Sequence, residues 1–261
     1  MELNLTKEQS LNALDLRKDK IQTLCLQKPT LQTTKSRVAL CLDYSGSMRD
    51  EYNDGTVQSI IERMLPLAMQ FDDNGEMELW IFENGFKRLD TINLSNYYGY
   101  IKDNVIGKYN MGGTNYSPVI RDVAKLYIEE EPQALPNYVI FITDGDNSDK
   151  PLTTETIRAL SHYPIFFEFI GIGREGFSFL EKLDDLEGRY VDNADYFSIR
   201  NINAMSDDDL YAKMLTEYPN WLEMQEVKDM INSAAIAQKI DYTKKTDKGS
   251  KPKKGLFGLF K

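Results

Sequence analysis

Apolar positions along the chain follow two alternating periods. Val38–Leu42 and Tyr138–Ile142 are short unbroken apolar runs, the pattern of strands buried on both faces. Val57–Phe71 carries Ile60, Ile61, Met64, Leu65 and Ala68 at helical spacing, Met77–Phe82 reads as a strand, and Phe86–Ile92 reads as its hairpin partner across Gly85. Ser95–Val105 is read as a Tyr-rich helix, and Ser117–Ile128 as a helix with Pro118 in its first turn. A helix (Thr154–Leu160), a strand (Ile165–Ile172), a helix (Phe177–Leu183) and a last strand (Asp195–Ile199) follow. This order predicts an α/β fold, a doubly wound and mostly parallel sheet with helices on both faces.

Residues 37–203 hold that pattern, and the flanks differ from it. In the N-terminal extension, 1–36, Thr6 and Gln9 form a capping box ahead of Leu11 and Leu14, which predicts a short helix. Lys20–Leu26 reads as a strand, because Ile21, Thr23 and Cys25 alternate with Gln22, Leu24 and Leu26. Lys28–Ser36, with Pro29 and four Thr/Ser residues, reads as a connection. Residues 204–241 form a helical appendage, with helices over Asp207–Leu215 and Trp221–Ile240 and a break near Pro219. Residues 242–261 read as a disordered Lys-rich tail that closes on Leu256-Phe257-Gly258-Leu259-Phe260.

Charge separates body from tail. The 261 residues carry a net charge of −10, yet Lys244–Lys261 holds seven lysines against one Asp and is +6, so the rest is −16. That body cannot neutralise phosphates over a broad face, which argues against nucleic acid as a partner and against an anionic membrane surface. No apolar run nears the roughly 18 residues that span a bilayer, the first residues lack a signal-peptide pattern, and two cysteines build no disulfide framework. A cytoplasmic setting is expected.

The candidate chemistry sits where the first buried strand ends. Asp43, Ser45 and Ser47 alternate in Asp43-Tyr44-Ser45-Gly46-Ser47, so a curled loop can aim one carboxylate and two hydroxyls at a single point. In parallel α/β sheets ligands bind outside the carboxyl ends of strands. An oxygen-only set of low charge suits Mg²⁺, with Ca²⁺ or Mn²⁺ as alternatives. Thr114, after Gly112-Gly113 and before a helix, and Asp144, after the Tyr138–Ile142 strand, can join the same rim.

Asp-x-Ser-x-Ser, a distant Thr after Gly-Gly and the Asp of Thr-Asp-Gly, in this order over roughly Arg37–Ile199, resemble the metal-ion-dependent adhesion site of von Willebrand factor type A (vWA) domains. The resemblance implies that Ser45 and Ser47 bind the metal directly, that Asp43 and Asp144 act directly or through water, and that Thr114 engages in the ligand-bound state. It leaves a sixth position for an acidic residue of a protein partner. Leu16-Arg17-Lys18 and Phe141-Ile142-Thr143-Asp144-Gly145-Asp146-Asn147 resemble more narrowly the bacterial tellurium-resistance, TerF-like type, whose members belong to chemical-stress and phage-defence gene clusters and have relatives in phage genomes.

Plainer readings compete at several positions. Asp-Tyr-Ser-Gly-Ser alone is also a turn sequence. Asp146 and Asp149 read as a solvated loop or as ligands of a second cation. His162, the only histidine, reads as a surface or capping residue, which leaves no His-based catalysis. Cys25 and Cys41 read as buried small apolar groups, and Gly171-Ile172-Gly173 as a tight turn. A non-enzymatic binding module is therefore the expectation. A Mg²⁺-dependent phosphohydrolase using Asp43, with Arg49 or Lys150 on phosphate, and a metal-free scaffold protein are the alternatives.

Overall fold

The computed structural model of the protein describes residues 5–173 and 176–234. Its six strands are β1 (Arg37–Asp43), β2 (Met77–Phe82), β3 (Phe86–Ile92), β4 (Asn137–Thr143), β5 (Ile165–Ile172) and β6 (Ala194–Ile199). They form one sheet in the order β3-β2-β1-β4-β5-β6. Only the β2–β3 hairpin is antiparallel. The helices are α1 (Lys7–Leu26), α2 (Pro29–Thr33), α3 (Arg49–Asn53), α4 (Thr56–Phe71), α5 (Tyr100–Asn104), α6 (Ser117–Lys125), α7 (Lys150–Leu160), α8 (Ser178–Asp184), α9 (Asp207–Met214) and α10 (Tyr218–Glu223).

The unbroken apolar runs are the central strands, and both of their faces are covered. On one face Val38, Leu40 and Leu42 pack with α1, α4, α9 and α10. On the other, Ala39 and Cys41 pack with α6, α7 and α8. The chain runs outward from β1 to β3, then returns to β4 and runs outward the other way. The carboxyl ends of β1 and β4 therefore flank the point where strand order reverses, the place where open α/β sheets form a crevice.

Four sequence expectations change. Lys20–Leu26 is the last part of α1, because Leu14, Ile21 and Cys25 share one helical stripe that is buried against the core. The local alternation there is incidental, and Leu26 is 65% exposed. Lys28–Ser36 contains the short helix α2. Ser95–Val105 is helical only in α5. Asn93 and Asn96 tie a turn ahead of it, and Gly99, at φ +71°, starts the helix. Pro219 lies in the first turn of α10, and Met224 separates that helix from the helical residues 225–234. The remainder of the Trp221–Ile240 helix and the Lys-rich tail lie outside the described residues.

Two arginines join α1, α4 and α9. Asp207 accepts from Nε of Arg17 at 3.1 Å and from Nε of Arg63 at 2.7 Å. Arg63, only 3% exposed, also donates to the carbonyls of Ile202 and Met205. Pro66, inside α4, has no N–H for the Glu62 carbonyl one turn before it. That carbonyl accepts from Nη1 of Arg17 at 3.2 Å. Among the described residues no helix is long and apolar enough to cross a membrane.

Candidate functional site

β1 ends on Asp43, and the chain curls at once: the Ser45 N–H donates to Asp43 Oδ1 at 2.8 Å. Ser45 then bridges to Gly112, and the Gly46 N–H donates to the Gly112 carbonyl at 3.0 Å. The β1 loop and the Gly112-Gly113-Thr114 loop are thus laced together. A Cβ on Gly112 would fall 2.3 Å from Glu83 Oε2, so any larger residue there would have to displace the Glu83 side chain. The Thr114 carbonyl accepts from the Ser148 N–H at 2.8 Å, which ties this loop to the one after β4.

Four of the five sequence-derived candidates meet in one string of oxygens. Ser45 Oγ and Ser47 Oγ lie 3.0 Å apart, and Ser47 Oγ donates to Asp144 Oδ1 at 3.0 Å. Asp43 anchors the inner end and is fully buried; Asp144 follows β4 at the outer end. Thr114 stands outside this string: its loop is tied to the β1 loop at Gly112, and its own carbonyl bonds Ser148.

Residues outside that set build the floor. Thr143, the last residue of β4, donates to Asp43 Oδ2 at 2.6 Å. The Tyr116 hydroxyl lies 3.0 Å from Thr143 Oγ1 and also meets the Gly145 carbonyl. Asp149 accepts from the N–H groups of Tyr116 and Ser117, both at 2.9 Å, so its carboxylate caps α6 from the neighbouring loop. Asp146 pairs with Lys150. These two acids therefore have partners within the fold. Thr143 was visible as a hydroxyl beside Asp144; nothing in the linear pattern marked Tyr116.

Burial dominates the electrostatics. It pushes the Asp43 carboxyl from 3.8 up to about 6, against the opposing pull of hydrogen bonds from Thr143 and Ser45, and the Asp144 charge adds a further push upward. The Tyr116 phenol is held well above its ordinary range by burial, with the neighbouring carboxylates acting in the same direction. Glu51 is raised by burial, with Asp144 among the charges that act on it. It lines a cleft of about 940 Å³ together with Asp54, Ser198, Arg200 and Asn201.

The other singled-out residues are structural. His162 is exposed and stacks on Tyr190, with ring centroids 4.8 Å apart. Cys25 and Cys41 are buried free thiols, and burial pushes Cys25 up to about 11. Gly171 lies within β5, where a Cβ would meet the Phe177 ring at 2.8 Å, and Gly173 makes the turn at φ +107°.

Residues 35–231 match a vWA-TerF-like family, described as the vWA found in the TerF C terminus. The uncharacterized protein YcbR of Bacillus subtilis is 40% identical over 223 residues, 84% of this chain and 90% of that protein. Among solved structures, the conserved hypothetical protein BatB of Bacteroides thetaiotaomicron superposes with a TM-score of 0.50 at 15% identity, over 69% of this chain and 97% of that one. Proximal thread matrix protein 1 from the mussel byssus, whose adhesion-site motif is occupied by zinc, superposes with a TM-score of 0.50 at 18% identity. That match covers 68% of this chain and spans 45% of the mussel chain.

Proposed function

The chain belongs to the vWA-TerF-like family, and from that premise we propose that it is a metal-dependent protein-binding module rather than an enzyme. One observation carries the reading: Ser45, Ser47 and Asp144 form a string of hard oxygens across the ends of β1 and β4, closed at its inner end by Asp43, which accepts from the Ser45 N–H, at the strand-order switch point. That donor set fits a hard divalent cation, and Mg²⁺ is the proposed occupant. Ser45 and Ser47 would hold it, with Asp43 and Asp144 directly or through water and Thr114 in the partner-bound state. The cation would supply an open position for a carboxylate of a protein partner, while the cleft beside Glu51 and Arg200 offers room for the partner's flanking residues.

The chain's own residues support binding over hydrolysis. The two serines bond to each other and Ser47 also to Asp144, and among the described residues no His or Lys bonds to either to activate it as a nucleophile. Lys150, the candidate phosphate ligand, is paired with Asp146. We assign the role to tellurite and chemical-stress resistance on the family relationship alone, with the cytoplasm as the proposed compartment.

Calorimetric titration with Mg²⁺ tests the site. Wild-type protein is expected to bind and the Ser45→Ala/Ser47→Ala variant to lose that binding; unchanged affinity would overturn the assignment. Capture of partners with and without EDTA then tests the binding role, since a partner set indifferent to chelation contradicts it.

A further inference from the structure

Charge is unevenly placed around the proposed adhesion site. Outside the Lys-rich tail the chain carries −16, yet two hollows beside the β1 loop are lined by the bases Arg49, Lys87 and Lys108 and by a single acid, Glu83. Each hollow has a volume of about 300 Å³. Arg49 and Tyr52 line the first, Lys87, Lys108 and Glu83 line the second, and Tyr44 and Tyr109 line both. The larger cleft lined by Glu51, Asp54 and Arg200 has the opposite balance.

Chain connectivity sets both hollows against the string of oxygens. Tyr44 stands between Asp43 and Ser45, and its N–H donates to the Phe82 carbonyl at 2.6 Å. Its hydroxyl donates to the Tyr109 carbonyl at 3.2 Å, and its ring packs edge-on to Tyr52 with centroids 4.8 Å apart. The wall that the two hollows share is therefore fixed at several points. Arg49 opens α3, two residues after Ser47, and Lys108 lies four residues before Gly112, whose carbonyl bonds the Gly46 N–H. Lys87 comes from a third segment, β3, opposite Ile81.

These three charges are not used by the fold. Arg88, Lys125 and Lys150 pair with acids at the surface, but among the described residues Arg49, Lys87 and Lys108 form no ion pair. Glu83 does not neutralise them. Its Oε1 accepts from the Gly85 N–H at 3.1 Å and its Oε2 from the Asn84 N–H, so its carboxylate serves the β2–β3 turn. Tyr52, 2% exposed, has a buried hydroxyl with no partner among the described residues. An acceptor oxygen is the group that would satisfy it.

We propose that the two hollows receive a second acidic side chain of the protein partner, an inference that rests on the metal-dependent reading above. The partner segment then carries two carboxylates, one for the metal and one for the ground between Arg49, Lys87 and Lys108. Charge complementarity names this occupant: an acidic segment is repelled by most of the −16 body and drawn to the one basic margin of the site. A metal with an open position accepts a carboxylate from any exposed acid, so the second contact is what separates one partner from another.

The test uses the full chain and hexaglutamate as the acidic probe. A carbodiimide joins a carboxylate to a lysine it rests against, so mapping the adducts reads where the probe sits. In Mg²⁺ at low salt, adducts at Lys87 and Lys108 are expected severalfold above those at Lys35 and Lys182, exposed lysines that line neither hollow. Lys87→Gln/Lys108→Gln changes two exposed residues, and circular dichroism should show it folded. It should bind labelled hexaglutamate about fivefold to tenfold more weakly than Lys35→Gln/Lys182→Gln, which loses the same charge, and the gap should close at about 0.5 M salt. Adducts at the level of Lys35 and Lys182, or equal affinities of the two variants, overturn the proposal. In Ser45→Ala/Ser47→Ala the excess at Lys87 and Lys108 should fall. An excess that survives there keeps the basic hollows as the seat of an acidic segment and refutes the metal anchor instead.

Discussion

Asp43→Asn in chelator should stabilise the protein at neutral pH and not in acid. Asp43 is fully buried, and burial raises its carboxyl from 3.8 to about 6. The folded chain therefore holds a proton that the unfolded chain releases. That contribution is fully present below about pH 4, falls away as pH rises through about 6, and is absent above. Its size follows from the two values: about 3 kcal/mol. Asn is neutral throughout, and with Thr143 able to accept its N–H the local bonding can be kept. The two proteins' unfolding free energies, measured by urea titration in EDTA, should diverge by about 3 kcal/mol in favour of Asn between pH 4 and pH 7.5. Raised acids that do not interact with Asp43 titrate equally in both proteins and cancel from the difference. Mg²⁺ at about a hundred times its Kd should return about 2.7 kcal/mol to the wild type and little to the variant. A difference that does not change with pH would refute the reasoning, because the strain would then not lie in the Asp43 charge.

Two further substitutions probe the supports of the fold. Asp149→Ala should cost about 1–2 kcal/mol in a thermal melt, because the Tyr116 and Ser117 N–H groups at the start of α6 lose their acceptor. Arg63→Met should cost about 3–5 kcal/mol in urea unfolding, since it strands the carbonyls of Ile202 and Met205 and leaves Asp207 to Arg17 alone.

The strands were legible because a parallel strand covered on both faces is apolar at nearly every position, as Val38–Leu42 and Tyr138–Ile142 are throughout. The gathering of Asp43, Ser45, Ser47 and Asp144 was legible for a related reason: each follows such a strand or its turn, and topology brings those ends together. The floor was not. Tyr116 reaches Thr143 across 27 residues, and Asp149 caps a helix more than 30 residues earlier in the chain, pairings that no local period encodes. α1 was misread because Thr23, Cys25 and their neighbours alternate over seven residues, while its buried stripe of Leu14, Ile21 and Cys25 shows only over the whole helix. Glu168 carried a signal that the apolar reading of Ile165–Ile172 passed over: a lone charge in a strand with no exposed face.

Pro66 sets the order of synthesis against the order of assembly. α1 is made before α4, yet the carbonyl that Arg17 needs is 45 residues further along and open because a proline follows it by one turn. The Asp207 carboxylate that fixes the same guanidinium is 190 residues away. α1 therefore completes its contacts only once the chain has been made through α9. During translation its stripe of Leu14, Ile21 and Cys25 has only α2 beside it until α4 emerges, and in that interval the nascent chain is open to chaperones and to other copies of itself.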